Sequence, residues 1–408
     1  MTQREIKEPR PPELLPPWRR EARVALQQEA RAFARDTVLP LADRLDREKA
    51  EMPRSLIEAM AEKGWFGITI PREHGGLGLG VFEYCLVSEE LARAWLSVGS
   101  ILARGQGLGT QTLDEERRRT LLAKSARGKW IGAIALSEPG AGSDLAGVET
   151  RAVREGDAWV LTGTKRWAGF ALAADFVEVL ARTRDPEPGE PRSAGLEPFL
   201  VVKEPGTFPV GMTGHPIDKI GYHGFLTWQL ELDGVRVPES DRLTGLYGDE
   251  GADADSGGFA SVQRGLNIAR VHTAARAVGV ARAAVEDTQA YLQEREQFGH
   301  PIGDFQALRF ALADMAAEVA QARAFWQQVA HLLDQGEPAE SESAMVKLLA
   351  TEMAVRVTNQ AMQLHGGNGY TTERRVERYW RDARLTTIFE GTSEIQRRIV
   401  SDRMLPRS

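Results

Sequence analysis

The stretch LTWQLELDG, residues 226–234, decides the architecture. Leu226, Trp228, Leu230 and Leu232 alternate with Thr227, Gln229, Glu231 and Asp233. A period of two puts one set on a buried face and the other toward water, which is a strand of a sheet with one covered side. GDAWVLTGTKRW (156–167) and ADFVEVLART (174–183) read the same way, and RDPEPGEPRSAG (184–195) is a turn-rich connection. Short strands between turns predict a small β-barrel or sandwich over 130–245.

On both sides of this module the period becomes helical. Upstream, RREARVALQQEARAFARD (19–36) is rich in helix formers, and Pro53 starts a further helix before SLIEAMAEKG. PREHGGLGLG (71–80) breaks the pattern, and VFEYCLVSEELARAWLSVGSILAR (81–104) resumes it. That glycine run lacks dinucleotide spacing and precedes no βαβ pattern. Downstream, Leu308, Leu312, Met315, Val319, Ala322, Trp326, Val329 and Leu333 recur at alternating steps of four and three, the seam of an antiparallel bundle. The expected fold is α+β and multidomain. An extended segment (1–17) leads to an N-terminal all-α domain (18–129), a central β domain (130–245) and a C-terminal four-helix bundle (246–408). The acidic, glycine-rich YGDEGADADSGG (247–258) reads as a mobile loop. Helices flanking a strand module do not make a doubly wound α/β sheet.

Composition narrows the function classes. The 408 residues carry a formal charge of -7, which speaks against nucleic acid or an anionic membrane as partner. One cysteine, Cys85, allows no internal disulfide and no cysteine metal site, as in a reducing cytoplasm. No apolar run reaches membrane-spanning length, and the proline-rich start has no apolar signal core. The seven histidines are not spaced as metal ligands. Neither a nucleophile elbow nor a phosphate-binding P-loop occurs.

Several segments have the chemistry of a binding site, each with a plain structural alternative. In ALSEPGAGSDLAG (135–147), Leu136 and Ser137 lead into a turn of Pro139, Gly140 and Gly142, with the Ser143 hydroxyl beside it. Such a loop cradles a pyrophosphate or bonds a ring nitrogen, or simply joins two strands. Trp167 stacks on a planar cofactor or fills a core. In EREQFGHPIGDFQ (294–306), Arg295 offers a phosphate fork, Phe298 and Phe305 offer rings, and Gln297 and Gln306 flank them. The alternative is a helical corner. In QLHGGNGY (363–370), Gln363, Gly366 and Gly367 either cap a helix or let backbone approach a ligand. In IFEGTSEIQRR (388–398), Glu390 precedes Gly391 and a helix start at Thr392, Ser393 and Glu394. It is a solvated charge or a general base.

Taken in order, PREHGGLGLG, LSEPGAGSD, KRW, ARAVGVARAA, EREQFGHPIGDFQ, QLHGGNGY and RDARLTTIFEGTSEIQRR resemble the acyl-CoA dehydrogenases, over nearly the whole chain from about residue 19. The resemblance implies FAD between the β domain and the bundle. It implies flavin contacts from Leu136, Ser137, Gly142, Ser143 and Trp167, and an adenine end held by Thr392 and Glu394. Arg295, Gln297, Phe298, Phe305, Gln306, Gln363, Gly366 and Gly367 would reach the FAD of a neighbouring subunit in a homotetramer or dimer. Ser143, Arg270 and Gly391 would meet the acyl-CoA substrate, and an electron-transfer flavoprotein would take the electrons. Glu390 would remove the α proton of the thioester while FAD accepts the β hydride. The backbone N–H of Glu390 would help to polarise the carbonyl.

Some members of the family place the base beside the residue matching Arg270; that position is Ala269 here, so Glu390 stands without a competing carboxylate. The dipole of the following helix favours the Glu390 anion, whereas a useful base needs a raised pKa, so desolvation in a filled pocket must dominate. Two departures stand out. Gly169 replaces the common flavin-contacting threonine, and no arginine lies at Gly99 or Ser100, where glutaryl-type members bind a distal carboxylate, which disfavours a substrate of that type. An acyl-CoA oxidase, or a nucleic-acid-binding flavoprotein using the Arg-rich stretch from Arg374 to Arg407, are the alternative functions.

Overall fold

The computed structural model of the chain describes residues 13–243 and 258–405, with side chains of the second stretch from Gly265 onward. Most of the expected lead-in segment, and all but the last residue of the expected 247–258 loop, lie outside these residues. Six helices come first: α1 (Glu21–Phe33), α2 (Leu39–Leu45), α3 (Arg54–Glu62), α4 (Val81–Ala94), α5 (Leu96–Ile101) and α6 (Glu115–Ala126). A π-turn over Ala34–Val38 joins α1 to α2 without a break. Asp114 caps α6 by accepting from the Arg117 N–H at 2.9 Å. Helix α4 buries residues on every side, Glu89 and Glu90 included, which places it at the centre of the molecule.

Seven strands follow: β1 (Gly132–Ala135), β2 (Arg151–Glu155), β3 (Ala158–Gly169), β4 (Phe176–Arg182), β5 (Leu196–Val202), β6 (Met212–Pro216) and β7 (Thr227–Pro238). The long antiparallel pair β3–β7 carries β6 on one side and β2 on the other. Strand β4 meets β2 at a single residue pair, Arg151 with Arg182, and bears β1 and β5. The stretch 226–234 falls in and just before β7. Trp228, Leu230 and Leu232 are buried while Asp233 faces water, as the alternation requires. Thr227 departs from the pattern because its hydroxyl accepts from Lys219 Nζ at 2.8 Å and is drawn inward.

The last region holds α7 (Gly258–Glu294), a hairpin of β8 (Glu296–Gln297) and β9 (His300–Pro301), then α8 (Gln306–Asp334), α9 (Glu340–Leu364), α10 (Val376–Thr386) and α11 (Ser393–Met404). The predicted seam lies on α8. Met315, Val319, Ala322, Trp326, Val329 and Leu333 are buried, and Leu308 and Leu312 half-buried.

The three regions share one apolar core running from α1 through the sheet to α10. Helix α4 packs along α7, and a buried ionic knot joins them. Arg282 of α7 bonds both Glu89 and Glu90 of α4. Arg323 of α8 donates to Glu89 at 2.8 Å, and Trp326 Nε1 donates to the same carboxylate at 2.9 Å. From α1, Gln27 and Arg31 donate to Glu90 at 2.8 and 3.0 Å. Every carboxylate in the knot has several donors, which is what makes buried charge tolerable.

Candidate active site

The 136–143 loop is built rigidly at its start. Lys165 Nζ, fully buried, donates to the Leu136 carbonyl at 3.0 Å and to Glu138 at 2.8 Å. The Arg166 N–H donates to the Ser137 carbonyl at 2.8 Å. Glu138 also accepts from the backbone N–H groups of Glu149 and Thr150. Burial works against the Glu138 charge, yet these hydrogen bonds hold its pKa below the usual carboxylate value. Burial pushes Lys165 down to about 8 against the pull of Glu138. Beyond this anchor Gly142 and Ser143 are exposed, and a Cβ on Gly140 or Gly142 would meet nothing within 4 Å.

Trp167 sits beside that anchor at a break in the β3–β7 register between Lys165 and Ala168. Its φ is +69°, a conformation that costs a bulky residue about 1–3 kcal/mol, and its ring is 54% exposed. A bulge re-aims a side chain, and here it turns an indole outward instead of into the core. Two residues on, a Cβ at Gly169 would stand 2.2 Å from Phe225 Cε1. The Phe225 ring, stacked on Phe170 at 5.9 Å, takes the volume that a threonine at 169 would need.

Glu390 and Gly391 form a turn with φ of +54° and +85° between α10 and α11. Lys347 Nζ donates to the Gly391 carbonyl at 2.7 Å, and Gln396 Nε2 donates to it at 3.0 Å. Thr392 caps α11 by accepting from the Ile395 N–H at 3.3 Å. The Glu390 N–H has no protein acceptor among the described residues. The carboxylate itself is exposed, and the groups that feel its charge are Lys347, Arg270, Tyr84 and Tyr222. Burial pushes Lys347 down to about 8 even with Glu390 nearby. Glu394 is exposed, in the first turn of α11. Arg270 is half-buried and donates to Asn267 at 2.8 Å.

The floor beside this turn is polar. Tyr84 of α4 stacks on His272 of α7 with centroids 4.4 Å apart. Arg276 donates to Ser100 Oγ at 2.5 Å and lies 5.0 Å from the Phe389 ring centroid. Tyr222 packs edge-on to Phe389, and its N–H is held by Asp382 at 2.6 Å. Burial lowers the His272 pKa well below its ordinary value, so the ring is neutral. Lys347, Gln396, Tyr84, His272, Ser100, Arg276 and Tyr222 were not singled out by motif. The available signal was a lone charge inside an apolar helix run, as in AMVKLLA and TAARAVGV.

A second group lies elsewhere. Arg295, Gln297, Phe298, Phe305 and Gln306 sit at the far end of α7, on the order of 38 Å along the helix from Arg270 at about 1.5 Å per residue. Phe298 and Gly299 form a hairpin tip with both φ values positive, and Phe298 is 89% exposed. Gln363, Gly366 and Gly367 adjoin this hairpin, since Tyr291 stacks on His365 at 4.2 Å and bonds Asn368. The structure thus brings Glu390, Gly391, Thr392, Glu394 and Arg270 into one neighbourhood and keeps the 295–306 and 363–367 group apart from it.

The Arg-rich tail is not a free basic surface. Arg375 and Arg378 pair with Asp43, Arg381 with Asp46 and Glu377, Arg397 with Glu352, and Arg403 with Glu340. Among the described residues no group of His, Cys, Asp or Glu could hold a metal ion, and no helix is long and apolar enough to cross a membrane.

An exposed indole at strained backbone and a fixed loop with open glycines fit a large planar cofactor such as FAD. Comparison with known proteins points the same way. Models of the acyl-CoA dehydrogenase N-terminal, middle and C-terminal domains match residues 20–129, 133–235 and 256–405. The mitochondrial short-chain specific acyl-CoA dehydrogenase of Mus musculus is 36% identical over 389 residues, covering 94% of this chain and 90% of that protein. The (2S)-methylsuccinyl-CoA dehydrogenase of Cereibacter sphaeroides is 37% identical over 388 residues, covering 93% and 69%. The butyryl-CoA dehydrogenase structure from Megasphaera elsdenii superposes with a TM-score of 0.84 at 30% identity, covering 95% of this chain and 98% of that one.

Proposed function

Because this chain belongs to the acyl-CoA dehydrogenase family and is an FAD-dependent oxidoreductase, we propose that it converts an acyl-CoA to the trans-2-enoyl-CoA with Glu390 as the base. One observation carries this reading. Glu390 stands on a left-handed turn pinned by Lys347 and Gln396, with its own N–H free of protein acceptors. Such a turn offers a carboxylate and an amide donor from one residue. The carboxylate takes the α proton, and the amide bonds the thioester oxygen as negative charge develops there, a contact whose loss costs roughly 10²–10³ in rate. Leu136, Ser137, Gly142, Ser143, Trp167, Thr392 and Glu394 would hold FAD, which would supply the acceptor for the β hydride.

Arg295, Gln297, Phe298, Phe305, Gln306, Gln363, Gly366 and Gly367 serve the cofactor of a second copy of the chain. Their distance along α7 from the Glu390 cleft and the exposure of Phe298 support that assignment. An electron-transfer flavoprotein, not oxygen, accepts the electrons, and the single buried Cys85 suits a reducing cytoplasm. The experiment is anaerobic titration of the holoenzyme with acyl-CoA thioesters while flavin absorbance is followed, with Glu390→Gln as control. Bleaching by wild type and not by the variant is expected. Bleaching of both at equal rates would remove Glu390 from the mechanism, and rapid reoxidation in air would favour an oxidase.

A further inference from the structure

Arg276 carries a charge that its protein neighbours do not balance. It lies on α7 with 3% exposure. Nη1 donates to Ser100 Oγ at 2.5 Å and Nη2 to Thr273 Oγ1 at 2.7 Å, both neutral acceptors. Its Nε is buried with no acceptor among the described residues. Among the described residues no carboxylate lies within ion-pair distance of it. The other cations of the cleft are differently placed. Arg104 is in range of Glu178, and Arg270 and Lys347 are in range of Glu390. A buried guanidinium without a counter-ion is costly to keep, and the orphaned N–H adds to that cost.

The position of this group relative to the base limits what can answer it. Tyr84 and Tyr222 each feel both Arg276 and Glu390, so the guanidinium and the base share one neighbourhood. Phe389, next to Glu390 in the chain, lies against Arg276. A short acyl chain entering past Phe389 would meet this guanidinium. Ser100, Thr273 and the neutral His272 make that end polar, where a plain alkyl terminus would bury no partner for Nε.

Resting on the acyl-CoA reading above, we propose that the substrate is a short acyl-CoA ending in a carboxylate, with Arg276 the specificity-determining residue that receives it. A carboxylate oxygen meets the free Nε–H in a charge-assisted bond, and the charge at the floor is neutralised only in the complex. The absence of an arginine at positions 99 and 100 does not exclude such substrates, because the guanidinium reaches Ser100 from α7. A side chain at Gly99 would itself begin 2.9 Å from Ala92 Cβ. The α and β carbons still lose one proton and one hydride, and the distal carboxylate is unchanged.

The test compares matched pairs on the holoenzyme: succinyl-CoA with butyryl-CoA, and glutaryl-CoA with pentanoyl-CoA. Wild type is expected to favour the carboxylated member by about 100-fold or more in kcat/KM, as sites built around a polar partner do. Arg276→Gln should bring the preference below about 10-fold, mostly through KM. Calorimetric binding of the unreactive thioethers 3-carboxypropyl-CoA and butyl-CoA should show the same ordering and the same loss. Equal or better use of butyryl-CoA by wild type overturns the proposal, as does an Arg276→Gln variant that slows both members equally. If no thioester of either series bleaches the flavin, the acyl-CoA reading itself fails and this inference with it.

Discussion

Two buried arginines lie six residues apart on α7 and have opposite surroundings. Arg282 is bonded to Glu89 and Glu90 in a knot that also takes in Arg323, Arg31, Gln27 and Trp326. Arg276 has two hydroxyls and, among the described residues, no carboxylate; a bare Nε is common to both, so the counter-ion is what separates them. The first arrangement is closed: each carboxylate is shared among several donors of the chain itself. The second has no carboxylate within ion-pair distance among the described residues, and the proposed substrate carboxylate would complete it. The difference teaches where to look for function in a largely helical protein. Charge that is satisfied internally fastens domains, and charge left under-partnered beside a cleft waits for a ligand.

Substitutions should separate the two regions, with turnover moving at the open end and stability at the closed one. The largest effect belongs to Glu390→Gln. Flavin reduction by substrate should fall about 10²–10⁴-fold or more, the range for losing a general base, with the melting temperature unmoved. Next is Glu89→Leu, which removes the carboxylate that Arg282, Arg323 and Trp326 share. It should cost about 3–5 kcal/mol in urea unfolding. If stability is unchanged, the knot is not what holds α4 to the C-terminal helices.

A smaller effect is expected where Gly169 faces Phe225. Gly169→Thr collides with Phe225 and should destabilise the protein by about 1–3 kcal/mol, the usual range for overpacking. Adding Phe225→Val should restore most of that loss. No recovery would mean that the glycine answers to something other than the ring.

The smallest effect is a slope in pH. Lys347 gives up its proton near pH 8 in the folded chain and near 10.5 when unfolded. Unfolding therefore takes up a proton between those values, and stability from this group rises with pH across that window. Lys347→Met should flatten the rise by the share of one proton, measured by unfolding from pH 8 to pH 10. An unchanged slope would mean that Lys347 stays protonated against the Gly391 carbonyl.

The period of 226–234 and the seam on α8 were legible because burial repeats at two residues on a strand and at three or four on a helix. Thr392 was legible as a helix cap for the same local reason. Glu390 stood out by its motif, and its exposure in the single chain shows how little a motif says about surroundings. Arg276, Lys347 and Gln396 were not legible, since each looks like an ordinary helical residue until α4, α7, α9 and α11 converge. Phe225 and Gly169 lie 56 positions apart, and nothing in either segment announces that one fills the space of the other.

The order of helices, strands and helices, and the residues able to carry acid–base chemistry, were set by the chain alone, because periodicity and residue type are local properties. The fusion of three regions into one core, the closing of the Arg282 knot and the baring of Arg276 were decided only by tertiary packing. A counter-ion is a matter of a few ångströms between distant segments, and distance across the fold is the quantity that a linear sequence does not contain.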